Sequence, residues 1–353
     1  MGYHCLYIYT ESLIAIKFEI VGISVYPLNI VYIFGYSLTL IGYKATTDFL
    51  KIELHCHNTF SNYRNGSARV PFDCGVSIEE QLDIALKKGI EVLFVTNHNT
   101  LDGYHQILEY QQNHEKYKNI LIYPAEEITI DNQGHVLAYG LTSEVKAGMT
   151  LEETLDEIKR QDAVSCAAHP FAVTNGIREM ASLCDLIESF NSNNIDHFSN
   201  IVAESFAKHK NKPSIAGSDS HIAQTIGRCI NSVESEKDLD NILQSMRQGK
   251  LKIIKANYTS KEEVYKHAYY ILSSSKELIL GYTSKHHPNA HWAAKWALDS
   301  YTMNPERRFW RALGAFTLYL TKRASEKVNV KGHNPQVFEK RSWRTLIYMS
   351  LVP

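Results

Sequence analysis

From Leu50 onward, short apolar runs alternate with segments that have the periodicity of amphipathic helices. This alternation is typical of βα units and a parallel sheet. About seven such units within roughly 200 residues fit a closed barrel better than an open sheet. We therefore predict an α/β barrel whose strands are residues 51–55, 92–96, 120–123, 135–140, 164–168, 186–190, 213–216 and 230–233.

Two helix starts are readable as capping boxes, in which a hydroxyl and a glutamate bond reciprocally to the first turn. They are Ser77 with Glu80 and Thr150 with Glu153. The strand signal ends near Lys255, and the residues after it are predicted to be mostly helical. The expected organisation is an N-terminal extension (1–49), a barrel domain (50–255) and a C-terminal helical region (256–353).

The C-terminal residues 301–353 are basic and interleaved with aromatic side chains. Such a helix either contacts a phosphate-rich ligand or a membrane surface, or packs on the barrel with a solvated face. We favour packing on the barrel.

The N-terminal extension contains residues 20–43, a stretch without a charged residue that is long enough to cross a bilayer as a helix. Pro27, Asn29 and the absence of a basic leader segment argue against a membrane helix or a cleaved signal. Two interpretations stay open, a membrane anchor and an extension outside the functional fold, and we prefer the second.

Composition narrows the function classes. A formal net charge of −1 gives no overall argument for nucleic-acid binding, which needs a basic surface. The six cysteines have neither framework spacing nor a CxxC pair, which indicates reduced thiols and a cytoplasmic protein. Ten of the sixteen histidines fall between residues 55 and 221, which directs attention to metal binding.

The stretch ELHCHNT places His55 and His57 on one face of an extended strand. Alone, the pair is either a metal clamp or an accident of composition. Further polar residues follow the predicted strands, and in a parallel barrel the carboxyl ends of strands converge on one face. These residues are 96–100, 124–129, 134–137, 168–171, 188–191 and 217–221.

This ordered series resembles the polymerase and histidinol phosphatase (PHP) superfamily over residues 50–250. The matching motifs are H-x-H at 55 and 57, T-[DN]-H at 96–98, P-x-x-E at 124–127, a His-led strand at 135, A-H-P at 168–170 and G-S-D-x-H at 217–221. The resemblance implies a distorted (β/α)7, TIM-like barrel that holds two or three divalent ions, usually manganese, iron or zinc.

Carried over to this chain, the resemblance implies three ion sites. Glu127 would bridge the first two ions, and the third would depend on His98 and His221. The implied ligands are His55, His57, Glu127 and Asp219 for the first ion, Glu127, His135 and His169 for the second, and His98 and His221 for the third.

Two positions depart from the family pattern. Asn62 and Asn97 stand where the family commonly has residues such as Asp, so we expect a weak third site. Asn97 and Glu53 are expected to orient ligands by hydrogen bonds.

Asp219, His221 and Arg228 are the predicted catalytic residues, with His221 or a third ion assisting the departing alkoxide. Arginine forks match phosphate oxygens, so four arginines are candidate phosphate clamps, and Arg228 is preferred. They are Arg64, Arg69, Arg178 and Arg228. Cys56 and Cys166 are interpreted as small buried residues.

The predicted function is hydrolysis of phosphate esters by a hydroxide that two or three metal ions activate. Nucleotides, bisphosphates or sugar phosphates are the expected small substrates. The alternatives are a 5′-3′ exonuclease on short RNA or DNA, an amidohydrolase-type C–N hydrolase, and an inactive metal-binding interaction module. No protein partner is predicted.

Overall fold

The computed structural model describes residues 48–131 and 134–333, together with the backbone of four strands nearer the N terminus. The chain divides into two compact units, residues 1–47 and 48–353, which are described separately. In the first unit the first described strand pairs antiparallel with the fourth, and the second pairs antiparallel with the third. Its strands are β1 (Ala15–Ile20), β2 (Ile23–Val25), β3 (Val31–Ile33) and β4 (Tyr36–Ile41).

The uncharged stretch 20–43, which is long enough to cross a bilayer as a helix, contains three short strands, and its other residues after Ile20 lie outside the described part of the chain. Among the helices that the structure describes, none is both long enough and apolar enough to span a bilayer.

The second unit is built on one nine-stranded sheet that curves into a nearly closed barrel. Its strands are β5 (Asp48–Glu53), β6 (Val92–Val95), β7 (Leu121–Ile130), β8 (Gly134–Tyr139), β9 (Val164–Ala167), β10 (Leu186–Asn191), β11 (Ser214–Gly217), β12 (Cys229–Ser235) and β13 (Leu251–Ala256). Across the sheet the order is β11-β10-β9-β8-β7-β6-β5-β12-β13. The predicted α/β barrel is confirmed, and all eight predicted strands are present.

The ninth strand, β13, was missed because its sequence does not alternate between a buried and an exposed face. Most of its side chains are exposed, including Ile253 and Ile254, at the edge of the sheet. A strand without a buried face lacks the period-two signal from which strands are predicted.

The expectation of an all-parallel sheet is wrong at β8 and β12. β8 runs antiparallel to both β7 and β9, and β12 runs antiparallel to β5. Only residues 131–133 connect β7 to β8, and a parallel pairing would need a crossover of a dozen or more residues. The hairpin places the start of β8 beside the end of β7, where His135 pairs with Thr129.

Helices surround the barrel and continue beyond it in the same compact unit. They are α1 (Ile78–Lys88), α2 (Asp102–Gln112), α3 (Leu151–Arg160), α4 (Phe198–Lys210), α5 (Leu239–Arg247), α6 (Lys261–Ser274), α7 (Lys276–His286), α8 (Pro288–Met303) and α9 (Arg308–Asn329). Both predicted capping boxes are present, at Ser77 on α1 and Thr150 on α3. A third capping box, at Ser260, begins α6.

Apolar side chains fill the interior of the barrel, and the polar residues of the predicted site lie at or near the ends of its strands. The central cluster includes Ile52, Leu54, Phe94, Leu137, Tyr139, Val164, Cys166 and Ile215, all fully buried. Cys56 is also buried, and both predicted small buried cysteines carry free thiols.

Closure of the barrel depends on side-chain and loop hydrogen bonds between β11 and the strands that face it. The side chain of Asn231 on β12 donates from Nδ2 to the Ala216 carbonyl oxygen (2.8 Å). Its Oδ1 accepts from the backbone N–H of Ala216 (2.9 Å). Directly after β5 and β11, the Asp219 amide donates to the His55 carbonyl (2.7 Å) and the His57 amide to the Ser220 carbonyl (3.1 Å). Three of these residues, His55, His57 and Asp219, belong to the predicted metal site.

Candidate metal centre

All eight predicted metal ligands meet at the end of the barrel where β5, β6, β7, β9 and β11 terminate and β8 begins. Seven of them are buried and His135 is partly buried. His55 and His57 follow β5, His98 follows β6, Glu127 lies in β7, His135 begins β8, His169 follows β9, and Asp219 and His221 follow β11.

Glu127 occupies the centre of the cluster, and its two oxygens face different sets of histidines. Oε2 lies near His55 Nε2 (3.4 Å), His57 Nε2 (3.2 Å) and His98 Nδ1 (3.2 Å). Oε1 lies near His135 Nδ1 (2.9 Å) and His169 Nε2 (3.1 Å). A carboxylate placed in this way can bridge two ions, which is how closely spaced metal pairs are commonly held.

The group implied for the first ion is brought together as a compact set. Asp219 Oδ1 lies 3.5 Å from His55 Nε2 and 3.5 Å from His57 Nε2. Together with Glu127, these residues offer four ligand atoms that all lie within 4.8 Å of one another. Asp219 adopts a left-handed backbone conformation (φ 48°), which is costly for a non-glycine residue and typical of functional sites.

Several ring nitrogens in the cluster lack any hydrogen-bond partner although carboxylate oxygens are close. The buried nitrogens without a partner are His55 Nε2, His57 Nε2, His98 Nδ1 and His135 Nδ1. Buried polar atoms are almost always paired, and an unpaired one needs an explanation such as an ion. Imidazoles with carboxylates form the donor set of zinc, manganese or iron, so the residues fit divalent transition-metal ions.

The charges within the cluster stabilise its carboxylates. Burial alone would raise the pKa of the Glu127 carboxyl, but the imidazoles of His98, His135 and His55 hold it well below its usual range. Burial lowers the pKa of His98 to about 4, which keeps this ring neutral near pH 7. The neutral imidazole is the form that binds metals.

Glu188 on β10 orients the cluster and was not assigned a role from the sequence. Its Oε1 lies 2.8 Å from His55 Nδ1, which leaves Nε2 of that ring facing Glu127. Its Oε2 accepts from the His169 amide (2.6 Å) and from Asn191 Nδ2 (3.0 Å). A carboxylate that fixes the ring of a ligating histidine is a common support of metal sites. The only signal was its position at a strand end.

Asn97 holds the loop that carries His57. Its Oδ1 accepts from the Asn58 amide (2.9 Å) and from Ser61 Oγ (3.0 Å), and its Nδ2 donates to Asn58 Oδ1 (2.8 Å). Ser61 Oγ in turn lies 3.0 Å from His57 Nδ1. An aspartate could not donate the bond to Asn58, which gives a structural reason for the amide at this position.

Glu53 lies behind the ligands and bonds to the segments that carry them. It accepts from the His55 amide (3.3 Å), from the Gly227 amide (2.9 Å) and from the Ser218 hydroxyl. Burial raises the pKa of its carboxyl to about 7.

Asn62, the position expected to weaken a third-ion site, directs its side chain at neighbouring protein groups. The side chain bonds to the backbone of Asp73 and Cys74 and to Tyr270. The carboxylate beside His98 and His221 belongs to Asp73, which sequence reasoning missed because it lies in a loop outside the motifs.

The four arginines predicted as phosphate clamps already have other partners. These are Asp102 for Arg64 (2.9 Å), the ring of Tyr282 for Arg69 (4.1 Å), Asn329 for Arg178 (2.8 Å) and Glu263 for Arg228. Spacing in the sequence cannot reveal such pairs. Arg228 is linked to the site through Glu263, which lines a cavity beside His221.

That cavity has a volume of about 220 Å³ and is formed between the barrel end and α6. Besides His221 and Glu263, its lining includes Asn193, Thr225, Thr259 and His267.

Comparison with known proteins supports the family suggested by the motifs. A family model described as PHP-associated matches residues 197–251. The uncharacterized protein MJ1587 of Methanocaldococcus jannaschii is 28% identical over 161 residues, which cover 44% of this chain and 89% of that protein.

Among solved structures, PsfC from Pseudomonas syringae PB-5123 has a TM-score of 0.46 and 16% identity, covering 64% of this chain and 99% of PsfC. The lesion-specific endonuclease PfuEndoQ from Pyrococcus furiosus has a TM-score of 0.45 and 15% identity, covering 59% of this chain and 58% of that chain.

The PHP-associated match includes Asp219 and His221, two residues of the cluster around Glu127. The remaining candidate ligands occur in the order of the family's motifs. Residues 197–251 thus match the PHP-associated family, and the motifs along the barrel resemble those of the PHP superfamily.

Proposed function

We propose that the chain is a metal-dependent hydrolase of phosphate esters. The observation that carries the proposal is Glu127, whose two carboxylate oxygens face two separate sets of histidine nitrogens. When bound there, divalent ions lower the pKa of a water molecule and neutralise the charge on phosphate oxygens.

The chain's own residues would hold and orient these ions. His55, His57 and Asp219 would act on one side of Glu127, and His135 and His169 on the other. Glu188 connects the two sides because it bonds both to the His55 ring and to the His169 backbone amide. Fixed rings lose little orientational freedom when they bind an ion, which favours affinity and a defined geometry.

His221 is better suited to hold an ion than to donate a proton to the leaving group. Its Nδ1 lies 2.9 Å from the Asp219 carbonyl oxygen, and its Nε2 lies 3.1 Å from Asp73 Oδ2. Both ring nitrogens are therefore directed at protein oxygens. Arg228 is held by Glu263 and would need to leave that partner in order to contact a phosphate.

The cavity beside His221 supports a small substrate. A volume of about 220 Å³ is below the usual range for drug-sized ligands and suits the alcohol portion of a small phosphate ester. Its lining combines the aliphatic side chains of Ile195, Ile222 and Val264 with amide, hydroxyl and imidazole groups, which suits a small leaving group that has both carbon and hydroxyl surface. Phosphorylated metabolites are accordingly the first substrate class to test.

The experiment measures hydrolysis of a phosphate ester and of an amide. The protein is first freed of metal by chelation and then reloaded with manganese or zinc. We expect cleavage of 4-nitrophenyl phosphate and no cleavage of a 4-nitroanilide. Anilide cleavage alone would favour a C–N hydrolase, and absence of all turnover in ion-loaded protein would favour a binding module. A phosphorylated-metabolite screen and short single-stranded oligonucleotides then define the substrate.

Glu127→Gln tests whether the assay reports this site. Removing the bridging charge should lower the rate by about a hundredfold or more. The matched control is Glu126→Gln, because neighbouring residues of a strand point to opposite faces. Glu126 accepts a bond from the Val145 amide (3.0 Å), which a glutamine oxygen retains. Equal and small effects of both substitutions would contradict the site.

A further inference from the structure

We propose that the first half of α9 and the adjoining face of α8 bind an anionic lipid surface. The apolar side chains of this face would enter the lipid boundary, and the cations beside it would contact the headgroups. The inference concerns the helices that follow the barrel and is independent of the metal centre. The sequence left two possibilities for this region, packing on the barrel and contact with a membrane or another phosphate-rich ligand, and each applies to a different half of α9.

The second half of α9 packs on the barrel domain. Ala324 and Val328 are buried and contact Val173. The Ser325 hydroxyl donates to Asp196 Oδ1 (2.5 Å). This half of the helix is therefore anchored, and it fixes the position from which the first half extends.

The first half of α9 leaves an apolar stripe uncovered. Residues 312–321 contain no charged side chain. Phe309, Leu313 and Phe316 recur at helical spacing on one face, and these residues are 59%, 45% and 46% exposed. A helix that packs on a domain buries such a stripe. An apolar stripe that stays exposed marks an interaction surface.

The helix α8 extends this stripe with indole rings. Trp292 and Trp296 lie about one turn apart and are 72% and 60% exposed. Trp310 joins the two helices, because its ring centroid lies 6.3 Å from that of Trp296 and 4.7 Å from that of Phe309. Tryptophan is enriched at the boundary between lipid headgroups and acyl chains, where its ring is apolar and its N–H group can form a hydrogen bond.

A cavity of about 560 Å³ lies between α6, α8 and α9, next to the exposed stripe. Trp310 and Leu313 belong both to the stripe and to the lining of the cavity. The rest of the lining is mostly apolar and includes Leu272, Leu298 and Leu318. The volume is in the range of ligand cavities, so the same face can accept part of an acyl chain.

The charge of this region favours an anionic partner. Residues 48–260 carry 20 Lys and Arg against 29 Asp and Glu, whereas residues 261–333 carry 12 against 6. The cations nearest to the stripe in the sequence lie at its two ends. Arg307 and Arg308 stand at the start of α9, and Lys322 follows the uncharged run, all three of them exposed. Cations that flank an apolar helix face add electrostatic attraction to anionic headgroups.

Two other occupants fit this face less well. A two-fold dimer brings the same patch of both copies together, so the cations around Arg307 and Arg308 would meet like charges. A single-stranded nucleic acid needs cations that follow its phosphates along the binding groove. Ten consecutive residues of α9, 312–321, offer it none.

The test is co-sedimentation of the full chain with lipid vesicles. We expect vesicles of equimolar phosphatidylcholine and phosphatidylserine to bind about tenfold or more tightly than pure phosphatidylcholine, with an affinity that falls as salt is added. All four tryptophans lie after residue 290, so a blue shift of tryptophan emission on binding reports entry of this region into lipid. Absence of binding to the charged vesicles, or equal affinity for both kinds, would overturn the proposal.

A double substitution locates the surface. Leu313→Ser with Phe316→Ser should lower the affinity for charged vesicles by about tenfold or more, because these side chains leave water on binding. The matched control is Leu86→Ser with Ile201→Ser, which replaces residues 44% and 60% exposed on α1 and α4. Its binding should equal that of the wild type. Equal binding by the two double variants would contradict the assignment of the surface.

Charge is tested separately, at positions where the fold does not depend on the side chain. Arg307→Gln with Arg308→Gln should weaken binding to the charged vesicles by about tenfold and leave binding to pure phosphatidylcholine unchanged. Sedimentation velocity and binding of a single-stranded oligonucleotide complete the comparison. If Leu313→Ser with Phe316→Ser abolishes self-association or oligonucleotide binding while vesicle binding persists, the face serves a second copy or a nucleic acid and the lipid proposal is wrong.

Discussion

The two halves of the metal centre are supported in different ways. Around Glu127 the candidate ligands stand on strands or directly at their ends, and ladder hydrogen bonds fix their backbone. The β7–β8 ladder, for example, includes the pair Thr129 and His135. Around Asp73 the ligand lies in a loop, and its position depends on the side chains of Asn62, His267 and Tyr270.

This difference predicts two kinds of sensitivity. Residues on strands are positioned more accurately than residues on loops, so the Glu127 half should tolerate changes in the surrounding helices. The Asp73 half should respond to any change that loosens α6. Substitutions can therefore be chosen that affect one half, both halves or neither.

The largest expected effect is that of Gly217→Ala at the end of β11. A Cβ atom there would lie 1.7 Å from Glu188 Oε1 and 2.8 Å from His55 Cβ. Overpacking of a buried site commonly costs about 1–3 kcal/mol of unfolding free energy, and displacement of Glu188 should also release the ions held at Glu127. Urea unfolding and metal analysis measure the two consequences.

The control for this substitution is Gly281→Ala in α7, where an added Cβ atom meets open space. It should raise the unfolding free energy by about 0.5–1 kcal/mol, because alanine is the better helix former. Full metal content in the Gly217→Ala variant would show that the close approach of Glu188 is not needed.

Glu188→Gln should lower metal affinity by about 10- to 100-fold, the usual effect of losing a group that orients a ligand. Glu188 accepts from His55, from the His169 amide and from Asn191. A glutamine has one acceptor oxygen and cannot satisfy three donors in this arrangement. Titration with manganese measures the change, and an affinity as high as that of Glu126→Gln would contradict the orienting role.

Substitutions at two helix caps should lower the unfolding free energy by a similar amount but differ in their effect on the Asp73 half. Ser260→Ala at α6 and Thr150→Ala at α3 each remove a capping box, which should cost about 1 kcal/mol of unfolding free energy. Of the two variants, Ser260→Ala should also weaken ion binding beside Asp73, because His267 on α6 donates to the Asp73 carbonyl. If both variants bind the ion beside Asp73 equally well, the Asp73 half does not depend on α6.

The smallest effect is expected from deletion of residues 1–45. The second compact unit begins at Asp48 and contains the entire cluster. We expect unchanged metal content and unchanged phosphoesterase rate in the shortened protein. Loss of folding would assign the N-terminal extension a structural role.

Sequence analysis identified those candidate site residues that lie within a few residues of a predicted strand. Apolar runs located the strands, and the polar residues after them located His55, Glu127 and Asp219. The strand β8 was predicted but its antiparallel direction was missed, because hydrophobic patterning does not encode strand direction. Its start at His135 was still assigned to the site through the family resemblance, and the hairpin places it beside the end of β7.

The residues that were missed depend on contacts between distant parts of the chain. Asp73 belongs to no motif, and the residue that positions it through Asn62 is Tyr270, 208 positions after Asn62. The partners of the arginines were not foreseen for the same reason, since Arg228 is paired with Glu263 on a helix that follows the barrel. A pattern within one segment carries no information about such partners.

Two of the closing hydrogen bonds of the barrel involve candidate metal ligands. The Asp219 amide bonds to the His55 carbonyl across the junction between β5 and the loop after β11. Ions held by both residues would cross-link the two edges of the sheet, so that opening of this junction and release of metal become a single event. By mass action, the free metal concentration then sets how often the barrel opens, and metal supply would govern the lifetime of the folded chain.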